Sequence, residues 1–506
     1  MNLFTLRMRS RSLYMGAPLA TSGIKSYQSN VVGAGLQLRP KINYELLGMT
    51  RDEAKAWEAR TRLEFDLWAS KKQNCDSTRV NDFYEMQGLC LVSWLLNGDG
   101  FALIDSEPAT QFAPYSLRVH LIEGDRVQNP NTTAFSGLTG QVWFNTKTGF
   151  RVYNGVEIDN NGGIVAYHVC NFYPNSFIPT MTLRRWTRIP AYGSTGMPNI
   201  LQVMYSERPE QYRGVPLLAP VLESLKQLTR YIDAELVASV INGFFTAFIK
   251  SPLPTGGMIF GEAQPEAEKV DNTEYGYELG PGTINRLMPG EDVDFGDPKR
   301  PSKNFDQFVS AMAKYIGAAI EVPYEVLLKS FDASYSASRA ALLEAWKAFR
   351  MRRSWLAKDF CQPIYEIWLS EAVARGRIIA PGFFDDPLIQ QAWCKAEWNG
   401  PSPGQIDPLK EVLAAEKRVD NGFSTREKET IELTGGDFDS NMEQIIRENG
   451  LMQEANGLFD PDALEQTNEN PAMTSPNTHR SLVNRYVDRY LESMLGDESP
   501  TSGKEE

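Results

Sequence analysis

The chain has 506 residues, 42% of them hydrophobic, so it can bury a large core and has the length of roughly two to four structural units. Its net charge of −13 argues against a protein that grips nucleic acid, because such binding needs Lys and Arg to neutralise phosphates, although a protein that surrounds DNA and lets it slide is not excluded. The five cysteines are scattered without C-x-x-C spacing and no apolar run approaches the roughly 20 residues that span a bilayer, which argues against a zinc site, a disulfide framework and a membrane-spanning helix.

The first two hundred residues predict helices followed by a strand-rich region. Apolar positions at helical spacing predict amphipathic helices over 51–71 and 82–96. From about 100 to 205, short alternating runs are cut by Asn-Gly and Asn-Gly-Gly turns, which predicts strands and hairpins. Residues Arg7, Arg9 and Arg11 precede an apolar stretch that is too short for a signal peptide, so we expect a cytoplasmic chain with reduced thiols.

The middle of the sequence predicts two helices separated by a small β-rich insertion. Apolar residues step at helical spacing over 216–245, and Pro216 suits a first-turn position. Short strands separated by Gly and Pro clusters fill 251–302, and helical character returns at 303–320.

The segment 337–375 predicts one long helix, with a kink at Pro363. Its length of about 55–60 Å exceeds what a compact domain encloses. Shorter helices follow at 406–419, 424–433 and 438–449. The stretch 456–480 is rich in Asn, Pro, Thr and Ser and is typical of a linker, and a last amphipathic piece covers 482–494.

Residues that could carry chemistry are few. The histidines, His120, His168 and His479, lie in different segments, which gives little support to a metal centre or a His-dependent triad. The stretches GGMIFGE and VVGAGLQL lack, respectively, the Lys of a phosphate loop and the third glycine of a dinucleotide loop. The 64 acidic residues leave open a glycosidase-like carboxylate pair, but none is singled out. The residues therefore give no catalytic signature, and we expect no metal and no cofactor.

The serine-rich stretch KSFDASYSASR, 329–339, is the strongest remaining candidate for a site. A Ser-Lys catalyst needs a Lys one helical turn after its serine, and none follows Ser334, Ser336 or Ser338 at that spacing. We instead expect Ser336 or Ser338 to cap the start of the long helix.

A set of stretches that occur in one order over about residues 10–455 resembles the lambda-type family of bacteriophage portal proteins. They are SYQSNVVGAGLQLRP, LIEGDRVQNP, GVEIDNNGGIVAYHV, ERPEQYRGVPLLAPVLESLKQLTRYIDAELVAS, YELGPGTINRLMPGEDVDF, GAAIEVPYEVLLKSFDASYSASRAALLEAWKAFR, FCQPIYEIWLSEAVARGRI and IDPLKEVLAAEKRVDNG. No single stretch is specific, whereas the collinear set is. The 456–506 tail lies outside the resemblance, and the lead before residue 10 is short for the family.

The resemblance implies a mixed α+β portal fold that assembles into a ring, usually of about twelve copies. In such a ring the long helix can bury its second face against the neighbouring copy. The implied parts are an N-terminal wing (1–215), a stem helix (216–250), a clip (251–302), a second stem helix (303–320), a tunnel loop (321–336), a long wing helix with its return (337–404), a crown (405–455) and a linker with the C-terminal tail (456–506).

The implied function is that of a non-enzymatic conduit for double-stranded DNA at one vertex of the virion capsid, assembled in the host cytoplasm. Its implied partners are further copies of itself, the large terminase subunit, a head-tail connector or adaptor, and the major capsid and scaffold proteins. Contact with DNA is weak and non-specific, and no membrane is involved. Another structural or scaffolding virion protein remains an alternative, as does an enzyme with an unrecognised carboxylate site.

Candidate site residues follow from this resemblance. Those of the DNA-facing tunnel loop are Lys329, Ser330, Asp332, Ser334, Tyr335, Ser336 and Arg339. In that loop the charges of Lys329 and Arg339 are compatible with brief phosphate contacts, with solvated charges or with pairs between subunits. Those of the clip, which meets the motor and the connector, are Glu262, Glu266, Glu274, Asp292, Asp294 and Lys299.

Overall fold

The structure is a computed structural model of the chain. It describes residues 3–130, 143–173, 184–243, 247–250, 292–295, 305–331, 335–405 and 407–458. The chain divides into two compact units, 1–436 and 437–506. Within the described ranges, no helix is both long enough and apolar enough to cross a membrane.

The N-terminal part of the described chain consists of helices and one short strand. The elements are α1 (Leu3–Gly16), α2 (Pro18–Tyr27), β1 (Gln37–Pro40), α3 (Arg51–Ala69), α4 (Lys72–Cys75) and α5 (Phe83–Asn97). The two predicted helices are confirmed as α3 and α5. Each starts with a capping box, in which Thr50 or Asp82 accepts a hydrogen bond from the backbone N–H three residues later and the Glu at that position accepts one in return. The sequence patterns had not predicted α1 and α2.

The predicted strand-rich region is confirmed as two antiparallel sheets. Its strands are β2 (Asp99–Ser106), β3 (Leu117–Glu123), β4 (Trp143–Phe144), β5 (Arg151–Tyr153), β6 (Val156–Ile158), β7 (Ile164–Cys170), β8 (Trp186–Pro190) and β9 (Ile200–Met204). One sheet has the order β3-β2-β9, and the other runs from β4 to β8 in chain order. Asn154 and Gly155, both at positive φ, form the tight turn between β5 and β6.

The two predicted helices of the middle region are also confirmed. The elements are α6 (Leu222–Gly243), β10 (Ala247–Lys250), β11 (Asp292–Phe295) and α7 (Phe305–Ala319), and β10 pairs antiparallel with β11. Pro216 does not lie in the first turn of α6 as expected. The backbone N–H of the next residue, Leu217, donates to the carbonyl of Leu95 at 2.9 Å, and a 3-10 turn precedes the helix. Apart from β11, the predicted β-rich insertion at 251–302 lies outside the described residues.

The long helical segment extends from Tyr335 to Ala374 as α9 (Tyr335–Leu356), a π-helical turn (Ala357–Cys361) and α10 (Gln362–Ala374). The irregularity expected at Pro363 takes the form of this π turn immediately before the proline. A proline has no N–H to donate to the preceding turn, and a π turn is one way in which a helix accommodates such a break.

The C-terminal elements are mostly helical. They are α11 (Pro387–Cys394), β12 (Ala396–Asn399), α12 (Pro408–Asp420) and α13 (Arg426–Thr434), and α14 (Phe438–Leu458) lies in the second unit. β12 pairs antiparallel with β1, which places Trp398 opposite Leu38. The last helix was expected to end at 449, but it continues past Gly450 to Leu458. The predicted piece at 482–494 and His479 lie outside the described residues.

The main core surrounds the second half of the long helical segment. Phe360, Ile364 and Trp368 are fully buried, and the ring of Trp368 meets that of Phe65 at a centroid distance of 5.1 Å. The chain therefore encloses this half by itself, although the length of the segment had indicated that a compact domain would not enclose it. Leu343, near the start of the segment, is 56% exposed. For that end, a contact with another copy stays a prediction.

All five cysteines are buried and free, as expected for reduced thiols. Burial raises the pKa of Cys75 and Cys394 to about 12, because a thiolate loses solvation in the core. These thiols therefore stay protonated and unreactive at neutral pH.

Candidate functional site

The segment between α7 and α9 contains the proposed tunnel loop. It is not a continuous loop, since a short helix, α8 (Tyr324–Leu328), occupies its middle. α7 ends in a tight turn in which the backbone N–H of Val322 donates to the carbonyl of Gly317 at 3.0 Å. A Cβ on Gly317 would lie only 2.4 Å from the carbonyl oxygen of Val322, so this turn requires glycine.

Lys329 terminates α8 in the left-handed conformation, with φ 54. Its backbone N–H and that of Ser330 both donate to the carbonyl of Glu325. The exposed Lys329 lines a cavity of about 360 Å³ together with Lys25 of α2. Two cationic side chains from distant parts of the sequence therefore border one opening.

The serines at the start of α9 do not have the role that the sequence suggested. α9 begins at Tyr335, so Ser336 and Ser338 lie inside the helix and cannot be its N-cap. Ser336 is exposed and Ser338 is buried. Asp332 and Ser334 lie outside the described residues, so the structure brings together only part of the proposed site.

Arg339 forms an ion pair with Glu411 of α12, with 3.5 Å between the nitrogen and oxygen. This ion pair within the chain was not among the roles considered for Arg339 from the sequence, which were a phosphate contact, a solvated charge and a pair between subunits. Both side chains are partly exposed, and such pairs contribute only about 0–1 kcal/mol. The pair links the start of α9 to α12 without fixing it strongly.

The N-terminal helix α2 contacts both ends of the stretch 320–328. The hydroxyl of Ser22 donates to the carbonyl of Leu327 at 2.6 Å, and the hydroxyl of Tyr27 donates to the carbonyl of Ile320 at 2.8 Å. Arg352 of α9 lies over the Tyr27 ring and pairs with Glu321 at 2.6 Å. Burial raises the pKa of Tyr27 to about 12, which keeps its hydroxyl protonated as a donor.

A buried cluster of charges connects α1, the β3-β2-β9 sheet and the chain leading to α6. Asp99 accepts hydrogen bonds from Arg7 at 3.0 Å and from Arg213 at 2.6 Å, and all three side chains are buried. Burial opposes the charged carboxylate, but the two arginines lower the pKa of Asp99 below its usual value. Periodicity could not reveal this cluster, because it joins residues that are about ninety or more positions apart.

The apolar stripe predicted over 216–245 is only half covered along α6. Leu222, Leu225 and Leu228 are buried, whereas Leu236 and Val240 on the later turns are 63% and 55% exposed. Within the described residues, α7 also exposes large apolar rings at Phe308 and Tyr315. An uncovered stripe on a helix that is otherwise amphipathic is typical of a surface that meets another chain.

The clip residues are mostly beyond what the structure describes. Asp292 and Asp294 lie on β11, opposite Lys250 and Phe248 of β10. Glu262, Glu266, Glu274 and Lys299 fall outside the described residues, as does the stretch GGMIFGE. The structure therefore gives the backbone register of two candidates and does not test the docking role.

The histidines of the described chain lie in strands. His120 is in β3, and His168 in β7 contacts the buried Glu157 at 2.9 Å. Burial opposes the charged form of Glu157, but hydrogen bonds from Arg188, Thr148, His168 and Asn145 lower its pKa to about 2. The cluster holds the five-stranded sheet together. In the described part of the chain, no group of His, Cys, Asp and Glu could hold a metal ion.

A cavity of about 930 Å³ lies between α9, β12 and α13. Its lining includes three carboxylates, Glu366, Glu397 and Glu432. Glu397 pairs with Lys41 at 3.0 Å, Glu432 with Arg350 at 3.9 Å, and Glu366 accepts from the Gln362 amide at 2.9 Å. Each carboxylate thus has its own donor, which gives no support to an acid-base pair here.

Comparisons with known proteins assign the family. Residues 1–353 match the family described as phage portal protein, lambda family. The chain is 25% identical over 472 residues to portal protein B of Escherichia phage lambda, covering 90% of this chain and 84% of that protein. The portal protein of Escherichia phage N15 is also 25% identical, covering 90% and 85%. The chain belongs to the lambda family of phage portal proteins.

Solved structures with similar chains include those of gene transfer agent particles. A chain of the virion of the native particle covers 78% of this chain and 93% of its own length, at 15% identity and a TM-score of 0.41. A chain of the neck of the empty particle covers 83% and 92%, at 14% identity and a TM-score of 0.43.

Proposed function

We propose that this chain, as a member of the lambda family of phage portal proteins, forms a closed ring of about twelve copies through which DNA enters and leaves the capsid. The observation that carries the proposal is the uncovered stripe on α6. Leu236 and Val240 continue a buried stripe, yet they are more than half exposed in the single chain. In a ring, a neighbouring copy covers the stripe, and the apolar burial stabilises the contact.

The parts of the ring follow the proposed division of the chain. Residues 1–215 form the wing, α6 and α7 the stem, 251–302 the clip, and 405–455 the crown. The segment 321–336 faces the channel, and its exposed Lys329 meets the phosphates of passing DNA. The ion pair between Arg339 and Glu411 joins the channel end of α9 to the crown.

The charge of the chain suits passage rather than retention of DNA. Each phosphate neutralised by Lys or Arg releases counterions and strengthens binding, and a ring multiplies every such contact by its number of copies. A chain with a net charge of −13 keeps the total attraction small. DNA contact is therefore weak, non-specific and confined to a few side chains.

The remaining partners follow from the position at the capsid vertex. The clip receives the large terminase subunit during packaging and the head-tail connector afterwards. Crown and wing contact the major capsid and scaffold proteins during assembly in the host cytoplasm. We assign no catalysis to the ring, because ATP hydrolysis belongs to the motor.

Disruption of the gene in the phage that encodes this chain tests the proposal. We expect capsid shells that still form but contain no DNA, with DNA-filled heads restored by a plasmid copy. Loss of the shells themselves would favour a scaffold protein instead. Shells that fill normally without the chain would contradict the proposal.

A further inference from the structure

The N-terminal helix α2 is bound to the base of the proposed channel loop at two points. Ser22 and Tyr27 lie five positions apart on α2, and their hydroxyls donate to the carbonyls of Leu327 and Ile320. These two carbonyls stand at opposite ends of the stretch that includes α8. The stretch is therefore held at both ends by one rigid helix.

Close packing supports these hydrogen bonds. A Cβ on Gly23 would lie 2.8 Å from Cδ1 of Ile320 and 3.5 Å from Cδ1 of Leu327. Helix α2 can approach the stretch 320–328 this closely only because residue 23 has no side chain. Ile320 and Leu327 are almost completely buried at this contact.

Tyr27 also connects this contact to the helix that follows the loop. The edge of its ring meets Phe349 of α9 at a centroid distance of 5.1 Å, and the guanidinium of Arg352 lies 4.8 Å from the ring centroid. Arg352 in turn pairs with Glu321. Tyr27 thus contacts both the chain before the loop, at Ile320, and the helix after it, α9.

We propose that α2 is the positioning element of the channel loop, with Ser22 and Tyr27 as its positioning residues. The inference rests on the proposed function of 321–336 as the part that faces DNA. By holding the stretch 320–328 in place, these hydroxyls set the position of Lys329. The left-handed backbone conformation of Lys329 ends α8 and begins the loop that follows. Helix α2 therefore affects DNA passage without touching DNA.

Hydrogen exchange and packaging of the assembled protein, measured on Ser22→Ala and Tyr27→Phe, test this role. Each variant removes one hydrogen bond and leaves the packing almost intact. We expect amide exchange in 320–330 to accelerate about fivefold per lost bond, equivalent to about 1 kcal/mol. Packaging of DNA should fall while ring assembly persists, and Ser22→Thr, which keeps the hydroxyl, should restore both.

Thr21→Val is the matched control. The Thr21 hydroxyl donates to the carbonyl of Tyr14, near the end of α1, so its loss should leave exchange in 320–330 unchanged. Unchanged exchange in both test variants would overturn the restraint. Faster exchange with normal packaging would overturn the positioning role alone, provided that deletion of 331–336 blocks packaging. If that deletion is also harmless, the channel-loop assignment fails, and the positioning role fails with it.

Discussion

Replacing Leu236 by serine tests whether the α6 stripe is a contact between copies. Leu236 is 63% exposed in the single chain, so the substitution should change the folding free energy of that chain by no more than about 0.5 kcal/mol. Its main effect should appear only where copies associate.

The size of the effect follows from the exposed area. Complete burial of a leucine side chain contributes about 1.5–3 kcal/mol. Covering the 63% that remains exposed should therefore contribute about 1–2 kcal/mol, roughly a 5- to 30-fold change in the association constant of each contact. Because neighbouring copies in a ring repeat the same contact, the concentration at which rings form should rise at least by this factor.

Light scattering after size-exclusion chromatography over a dilution series measures this threshold. Leu63→Ser is the control, since Leu63 lies on α3 and is 74% exposed, and it should assemble like the unmodified protein. Assembly of Leu236→Ser at unchanged concentrations would mean that the α6 stripe is not a contact between copies. So would a large drop in the melting temperature of the single chain, because it would mean that Leu236 is buried within its own fold.

Three further substituted variants and one deletion have defined outcomes. Asp99→Asn leaves two buried arginines without their carboxylate and should cost about 3–5 kcal/mol of stability, measured as a lower melting temperature, whereas an unchanged value would mean that the cluster is dispensable. The pKa of Glu157 is lowered to about 2, so its contribution to stability is full above about pH 4.5 and is lost as the pH falls towards 2. In Glu157→Gln, the melting temperature should therefore fall less steeply as the pH is lowered through this range. An equally steep fall would contradict this role. Deleting 331–336 should spare ring assembly and impair packaging or DNA retention, so collapse of the ring would contradict the assignment. Reversing the charges of Asp292 and Asp294 should weaken binding of the terminase or the connector in a pull-down, and unchanged binding of both would locate docking elsewhere.

Elements with strong local patterns were predictable from the sequence. The helices α3 and α5 combine amphipathic spacing with capping boxes, and the Asn-Gly turns mark the hairpins of the five-stranded sheet. These signals act over a few residues, so neighbouring sequence is sufficient to read them.

The N-terminal helices were missed because their stabilising contacts are distant in sequence. Arg7 in α1 looks like a surface residue, yet it is buried against Asp99. The strand β1 is only four residues long and pairs with β12 more than 350 positions later. No local pattern reports such partners.

The candidate site was predictable only in part for the same reason. Composition and the resemblance pointed to 321–336, where the structure has the exposed Lys329. They did not reveal α8 within the segment or the supports from Ser22 and Tyr27. A hydroxyl that donates to a carbonyl about 300 residues away has no sequence signature, because serine and tyrosine are common in helices of every kind.

Electron-microscopic class averages of the purified protein show directly whether it forms a ring. We expect closed rings with a central channel and, for about twelve copies, a mass of roughly 680 kDa, given 56.9 kDa per chain. Monomers and dimers alone, at every concentration and salt condition, would contradict this expectation.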